Sequence, residues 1–451
     1  MPQTVLSKKN KIFLADFQYK KEIENRLFMA SLTPFEVTVL QEIIHSSIKI
    51  PISDLCDTLS CPEYLLLPVF EKFCKIGLLT RQKDSLYVDK VLRKYFEFHI
   101  QKFDNDFVAD IEFFLGILSM LPISILPIWY GIPRSSDNIF QSLIEKYFLT
   151  PKIYQKYLDD LVFDEEHLTA IKDDLFLSPD LALEIPHIRE KYSLSKEKLK
   201  ESLLILELHF VGAETFHRNK EDCKGILKPF LEFREYLFET RKSLQTIEDQ
   251  CQIKTQYEDD FGFLFAFQDF LKELNDDTFV YEETDSHKAF VNQAWVLGFV
   301  QEPTGPPKVK QNPKAFLDMS LQNRAALIYR YAAADYAYNV FADHRPTIEC
   351  VERSIREIEN GLRKVIGKGW IFFDDFFNNF NGHIGDSDPV ILKKVGKTWS
   401  YVAPVYTPCE AFFIEQMIFK TLFRAGITAT GRYQGRLCFT VTNFGKKMLT
   451  S

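Results

Sequence analysis

Glycine is scarce in this chain, 18 of 451 residues, and no stretch of it has the spacing that wraps a nucleotide phosphate. A phosphate loop needs a glycine five residues ahead of its Gly-Lys-Thr, so that backbone N–H groups can surround the ligand. Before Gly396-Lys397-Thr398 that place is held by Ile391. The eight cysteines form no Cys-x-x-Cys pair; scattered thiols of this kind read as reduced and buried, which points to an intracellular, cytoplasmic protein. The nine histidines give neither His-Glu-x-x-His nor a His-x3-His pair, and no serine lies in a Gly-x-Ser-x-Gly elbow. Neither a catalytic set nor a metal or cofactor site is therefore expected, and the chain reads as a non-enzyme. Residues 1–11 also lack the apolar core of a secretion signal.

Long apolar runs are nearly absent too. Residues 113–133 are the exception: 21 uncharged positions, long enough to cross a bilayer. Pro122, Pro127 and Pro133 would break such a span into pieces with missing backbone donors, and its flanks carry no Lys/Arg cluster. A buried helix followed by an extended core segment is expected here, and a membrane partner is not. The acidic run Asp164-Glu165-Glu166-His167 looks like a helicase motif but precedes the Gly-Lys-Thr, the reverse of a motor's order. It reads as the acidic start of a helix. Residues 381–388 mix His383 with Asp386 and Asp388, without the alternating oxygens and closing Glu of a calcium loop, and read as a solvated turn.

Phenylalanine, by contrast, is abundant at 42 residues, which argues against disorder. The stripe Phe372, Phe373, Phe376, Phe377, Phe380 has helical spacing and is expected to face a core. Charge is segregated along the chain. Residues 389–451 hold nine cations against Glu410 and Glu415, a formal +7; the whole chain carries −8, so the preceding 388 residues carry −15. Segregation on this scale marks a partner bound at one end.

Local signals predict an α+β, mainly α protein made of multiple winged-helix-like units joined by helical segments. After an N-terminal extension (1–30), Thr33-Pro34-Phe35-Glu36 combines an N-cap, a first-turn proline and an acid, followed by apolar residues at helical spacing. Two more helices, a capping Gly77, and a hairpin around 82–85 complete a winged helix over 31–103, with balanced charge. Residues 104–301 read as a helical region with looser repeats, one near 139–161 and one near 185–216. The Pro/Gly-rich run 302–313 reads as a linker. Two long helical stretches, 314–341 and 345–366, lead to a last unit within 314–451: strands over 389–403, a helix over 408–425, Gly426, and a hairpin over 427–442.

Several residues of the C-terminal half carry a family likeness. These are Ala294-Trp295-Val296-Leu297-Gly298-Phe299-Val300, Ala315-Phe316-Leu317, the 324–331 helix, Gly369-Trp370-Ile371, Trp399-Ser400-Tyr401, and the 436–442 strand with Gly445 and Leu449. Over residues 259–451 the chain resembles the N-terminal domain of XPB-type helicases, also carried without a motor by bacterial proteins. The resemblance implies a winged-helix interaction or DNA-associated module and no catalytic residues.

The functional expectation is a non-enzymatic DNA-associated protein. Its phosphate contacts would come from Lys420 and Arg424 on the last long helix, Arg432 and Arg436 at the wing, Lys446 and Lys447 behind it, and Lys393, Lys394 and Lys397 on the preceding hairpin. Such cations would position double-stranded DNA without reading its sequence. The acidic body would recruit a protein partner; the competing expectation is a protein–protein scaffold that binds no nucleic acid.

Overall fold

The structure, a computed structural model, describes residues 12–133, 135–241, 244–276, 280–282, 284–301, 306–332, 351–396 and 398–450. About 55% is helix and 13% strand, the strands lying in small antiparallel sheets, so the class is α+β, mainly α. The chain forms two compact units: residues 1–238 with 392–401, and 239–391 with 402–451.

One seven-element order occurs three times: helix, short strand, helix, helix, two-stranded hairpin, helix. In the first unit it runs through Pro34–His45, Lys49–Pro51, Ile52–Thr58, Glu63–Lys75, Leu79–Gln82, Ser85–Val88 and Lys90–His99. It recurs as Glu166–Leu177, Leu183–Glu184, Ile185–Lys191, Lys196–Leu208, Ala213–Arg218, Cys223–Lys228 and Leu231–Arg241. The second unit holds the third copy, interrupted by the inserted strands Ile391–Val395 and Thr398–Val402 between its second and third helices: Val351–Arg363, Ile371–Phe372, Phe373–Asn379, the helix over 408–424, Thr428–Tyr433, Arg436–Val441 and Asn443–Thr450. In each copy the short strand pairs antiparallel with the last strand of the hairpin: Ile50 opposite Leu86, Glu184 opposite Ile226, Phe372 opposite Cys438.

Local chemistry explains the recurrence. Each short strand ends on an extended residue (Pro51, Glu184, Phe372) and turns directly into a helix whose first and fourth residues are buried: Ile52 and Leu55, Ile185 and Ile188, Phe373 and Phe376. The next helix stops at a left-handed residue, Gly77, Phe210 or Gly426. The following N–H then reaches back to the helix: Leu78 to Phe73 at 3.0 Å, Val211 to Leu206 at 2.9 Å, Ile427 to Leu422 at 2.9 Å. This left-handed C-cap redirects the chain into the hairpin. One constant interval separates Ile52 from Ile185, Leu55 from Ile188, Leu66 from Leu199, Phe70 from Leu203, Phe73 from Leu206 and Gly77 from Phe210. The first two copies therefore keep their core positions without insertion or deletion from the short strand to the hairpin.

Phe210 is the exception among the three caps. Its Cβ disfavours the left-handed conformation by about 1–2 kcal/mol, yet its ring is fully buried, stacked on Tyr130 at 5.0 Å and meeting Phe114 edge-on at 4.6 Å. Burial outweighs strain. We expect Phe210→Gly to destabilise the first unit by about 2–3 kcal/mol, less than the roughly 3–5 of an ordinary buried Phe truncation, because the backbone relaxes. Urea unfolding checks it, and a variant more stable than the wild type would reverse the balance.

Several expectations need correction. The division between compact units falls after Phe238, not at 302–313. Of that run, 302–305 lie outside the described residues. The rest folds back inside the second unit, where Val309 bridges Val300 and Gln301 donates to Lys308. Residues 113–133 form two short helices, Ile111–Ser119 and Leu126–Tyr130, so the second half is helical rather than extended. Among the described residues no helix is long and apolar enough to cross a membrane. The 139–160 helices carry no hairpin of their own. The stretch read as one helix from 314 breaks at Ser320, which caps Leu321–Arg330; residues 333–350 lie outside the described residues. Glu166 does begin a helix, and the Phe stripe does face a core, with Phe373, Phe376 and Phe380 buried.

Candidate functional site

The third hairpin is joined at its outer edge by a strand the sequence did not announce. Lys254–Thr255 pairs with the first hairpin strand, Thr255 opposite Gly431 and Lys254 opposite Arg432. Only glycine permits this approach, since a Cβ at Gly431 would sit 2.8 Å from the Ile253 side chain and 3.0 Å from the Lys254 carbonyl oxygen. Two cations thus become direct cross-strand neighbours, and both are exposed. Like charges placed directly opposite are destabilising, so this pair does not itself stabilise the sheet.

This edge forms one wall of a cleft of about 730 Å³ in the second unit. Helix Asp285–Val296 also lines it, its first turn contributing Asp285 and Lys288. A further part of the lining comes from the helix Pro408–Gln416, which continues through a π-helical turn, Met417–Thr421, into Leu422–Arg424. That helix supplies Glu415, Gln416, Phe419, Lys420, Thr421 and Arg424. Lys254, Lys288, Lys420, Arg424 and Arg432 line the cleft against Asp285 and Glu415, so five cations face two carboxylates.

Depth separates the groups by role. Lys254, Lys288, Lys420 and Arg432 are exposed at the mouth. Arg424 and Gln416 are both only 7% exposed, with Thr421 and Thr430 beside them equally buried. The Arg424 guanidinium lies over the Phe263 ring, 5.6 Å from its centre. The Gln416 amide oxygen has no hydrogen-bond partner among the described residues. An orphaned buried acceptor costs about 1–3 kcal/mol. Half-buried rings of Tyr257 and Phe419 complete the lining. Burial raises the Tyr257 hydroxyl above its ordinary pKa, so the ring is neutral.

Of the nine cations expected to act together, three meet here: Lys420, Arg424 and Arg432. Five of the others do not line the cleft. Arg436 stands at the hairpin turn, next to Leu437, which lines the cleft; alternation along the strand turns it to the opposite face. There it lies 3.5 Å from Asp375 and 3.6 Å from Asp374, with its guanidinium over Phe372. Lys446 and Lys447 are exposed on the last helix, outside the cleft lining. The hairpin Ile391–Val395 and Thr398–Val402 places its residues 392–401 in the first unit. Leu392 donates to the Leu149 carbonyl at 2.9 Å and Tyr401 to that of Phe148 at 3.0 Å. Lys394 is 2.5 Å from Glu112, which also accepts from the Trp399 N–H; both donors hold that carboxyl below its ordinary pKa. Lys393 is exposed on the same hairpin, and Lys397 lies outside the described residues. Of the nine, the cleft lining therefore holds three, Lys420, Arg424 and Arg432, and Lys254 and Lys288 join them. The pairing of Lys254 had no signal beyond an isolated Lys-Thr step, and Lys288 none beyond a capped helix.

The expected presentation of the last long helix changes as well. From Phe413 to Arg424 only Lys420 is exposed, so the helix has no protruding face to lay in a groove. Residues 381–388 are not simply solvated: Glu410 accepts from the Asp386 and Ser387 N–H groups at 3.1 and 3.0 Å, while Gly385 donates to Ser354. Among the described residues no group of three or more His, Cys, Asp or Glu is placed to hold a metal, and seven cysteines are free thiols. The chain matches no protein-family model, no curated protein and no solved structure.

Proposed function

We propose that the chain is a non-enzymatic, cytoplasmic, DNA-associated protein built on three winged-helix units, in which the cleft of the second unit holds backbone phosphates. The observation that carries this reading is the convergence of Lys254, Lys288, Lys420, Arg424 and Arg432 in one concavity of an acidic chain. A concave cluster of cations focuses field toward an anionic ligand more strongly than the same charges on a flat face. Repeated helix–helix–hairpin order and the resemblance of 259–451 to the XPB N-terminal domain support the winged-helix and DNA association; the free thiols support the compartment.

Binding of this kind is salt-sensitive. With about four phosphates neutralised, affinity for a labelled oligonucleotide should fall by about a hundredfold between about 50 and 200 mM salt, read by fluorescence anisotropy. Lys254→Glu combined with Arg432→Glu changes two exposed side chains and should abolish binding while the thermal midpoint stays put. A flat salt response, or unchanged binding in the double variant, defeats the reading.

A second reading, a protein-assembly scaffold, is favoured by the acidic remainder and by exposed Ile123 and Ile128 on the first unit. It predicts that the double variant keeps its protein partner in a pull-down whatever happens to nucleic acid.

A further inference from the structure

We infer that Cys56 and Cys61 form a reversible dithiol–disulfide site in the first unit, closed by exchange with a small disulfide such as glutathione disulfide. The site belongs to a different compact unit from the cleft and does not depend on the phosphate reading.

The two cysteines hold matched places at the end of one helix. Ile52–Thr58 finishes with Ser60 in the left-handed conformation, at φ 50°. The Ser60 N–H donates to the Asp57 carbonyl at 3.2 Å, and the Cys61 N–H donates to the Cys56 carbonyl at 3.0 Å. These nested bonds make a Schellman ending, in which the side chains at its two outer positions commonly touch. Here the outer positions are Cys56 and Cys61. Their 3.0 Å backbone bond and ordinary covalent lengths keep the two Cα atoms within about 7 Å, the span a disulfide can bridge. Both side chains are half-buried against the same apolar cluster, and the two thiols interact electrostatically.

The second copy of the unit shows which way such side chains turn. Arg189 and Leu194 stand one constant interval from Cys56 and Cys61 and build the same ending, with Ser193 at φ 51° and the Leu194 N–H donating to the Arg189 carbonyl at 3.0 Å. There the Arg189 side chain folds over the turn and donates to the Leu194 carbonyl at 3.4 Å. The side chain at the position of Cys56 is thus directed toward the residue at the position of Cys61. The first copy puts a thiol at both.

Closure is a two-electron exchange. One cysteine thiolate attacks a sulfur of glutathione disulfide, forming a mixed disulfide and expelling one glutathione thiolate. The other cysteine thiolate attacks the protein sulfur of that mixed disulfide, forming the Cys56–Cys61 bond and expelling the second glutathione thiolate. The protein gives up two protons and two electrons, and glutathione disulfide is reduced to two glutathione molecules. Burial, with Glu63 and Asp57 nearby, raises the Cys56 thiol above its ordinary pKa. Cys56 is therefore protonated at neutral pH, which slows the exchange without altering its end point. Once closed, the bond fixes the turn that leads through Pro62 into helix Glu63–Lys75.

The test uses the full chain at low concentration, folded and in concentrated urea, equilibrated at one fixed ratio of glutathione to glutathione disulfide. Samples are acid-quenched and alkylated. Cleavage after Lys49 and Lys72 leaves Cys56 and Cys61 in one peptide, so closure reads by mass as loss of two hydrogens with no alkyl group added. The ratio of closed to open pair should be about tenfold higher in the folded chain than in urea, because the native turn holds the thiols together. The rate of closure should rise with pH as the Cys56 thiolate becomes available. Cys56→Ser and Cys61→Ser should each leave the remaining thiol carrying one glutathione, with no loss of hydrogens. Two glutathiones on the wild-type peptide, or the same ratio in both states, overturns the inference. So does a bond from either cysteine to Cys74 or Cys223, which pack on the same cluster, and so does failure of the folded chain to react.

Discussion

Glu207→Gln is expected to destabilise the first unit by about 3–5 kcal/mol, the cost of leaving buried charge uncompensated. Glu207 is fully buried on helix Lys196–Leu208. It binds Arg26 with one carboxylate oxygen and Lys102, at 3.0 Å, with the other, and both cations are themselves buried. Arg26 keeps a second carboxylate, Glu22, at 2.6 Å; Lys102 has no second carboxylate among its described contacts. Burial alone would raise the Glu207 pKa, but Arg26 and Lys102 outweigh it and hold the carboxyl below its ordinary value. A depressed carboxyl contributes stability that is fully present above its unfolded pKa, near 4.5, and is lost as pH falls through the lower folded value. Acid should therefore unfold the wild type more steeply than the Gln variant. Replacing all three groups together (Glu207→Leu, Arg26→Met, Lys102→Met) should cost far less than the single change, since a packed apolar trio needs no compensation. Urea titrations of the three proteins decide it, and a single variant as stable as the wild type would sink the account.

Glu232 produces the opposite pH dependence. It is 2% exposed, accepts the Ile111 N–H at 3.0 Å with one oxygen, and has no partner for the other among the described residues. Burial pushes its carboxyl up to about 8. A raised pKa means the folded state keeps a proton that the unfolded chain releases. Its contribution is complete below the unfolded pKa, near 4.5, and is lost progressively as pH rises toward about 8. Within that window the loss approaches about 1.4 kcal/mol per pH unit. Glu232→Gln retains an acceptor for Ile111 and cannot titrate. Its stability relative to wild type should therefore climb by several kcal/mol between about pH 5 and 8, then level off. Parallel curves for the two proteins would mean that the carboxyl is ionised in the fold.

Where a signal is local, the chain announces its structure. The capping box at Thr33 and Glu36 forms, with the Thr33 hydroxyl accepting from the Glu36 N–H and the Glu36 carboxylate accepting from Thr33. Gly77 and Gly426 end their helices in the left-handed conformation, and Gln434-Gly435 turns the last hairpin. The sequence signals the second copy only as far as residue 216, because Phe210 stands where the others have glycine and burial in a phenyl cluster replaces the usual turn residue. The strand Cys223–Lys228 then follows a four-residue loop held by the Asn219 side chain. The site was half legible. Counting cations along the sequence brought in Lys393 and Lys394, which the hairpin places in the first unit, and left out Lys254 and Lys288, which strand addition and helix packing bring to Lys420 and Arg432. Sequence proximity measures net charge along a chain, while a ligand responds to distance in space.

The hairpin at 391–402 also decides how the molecule can be taken apart. The backbone passes from the first unit to the second after Phe238, returns at Leu392, and departs again after Tyr401. No single scission yields two autonomous fragments: a nick after Phe238 leaves Leu392 and Tyr401 still bonded to Leu149 and Phe148. A C-terminal piece begun at residue 239 would carry a β-ribbon whose docking partners had been discarded. Dissecting the protein into halves therefore requires deleting 392–401 and rejoining the ends, or supplying those ten residues back to the first half as a peptide.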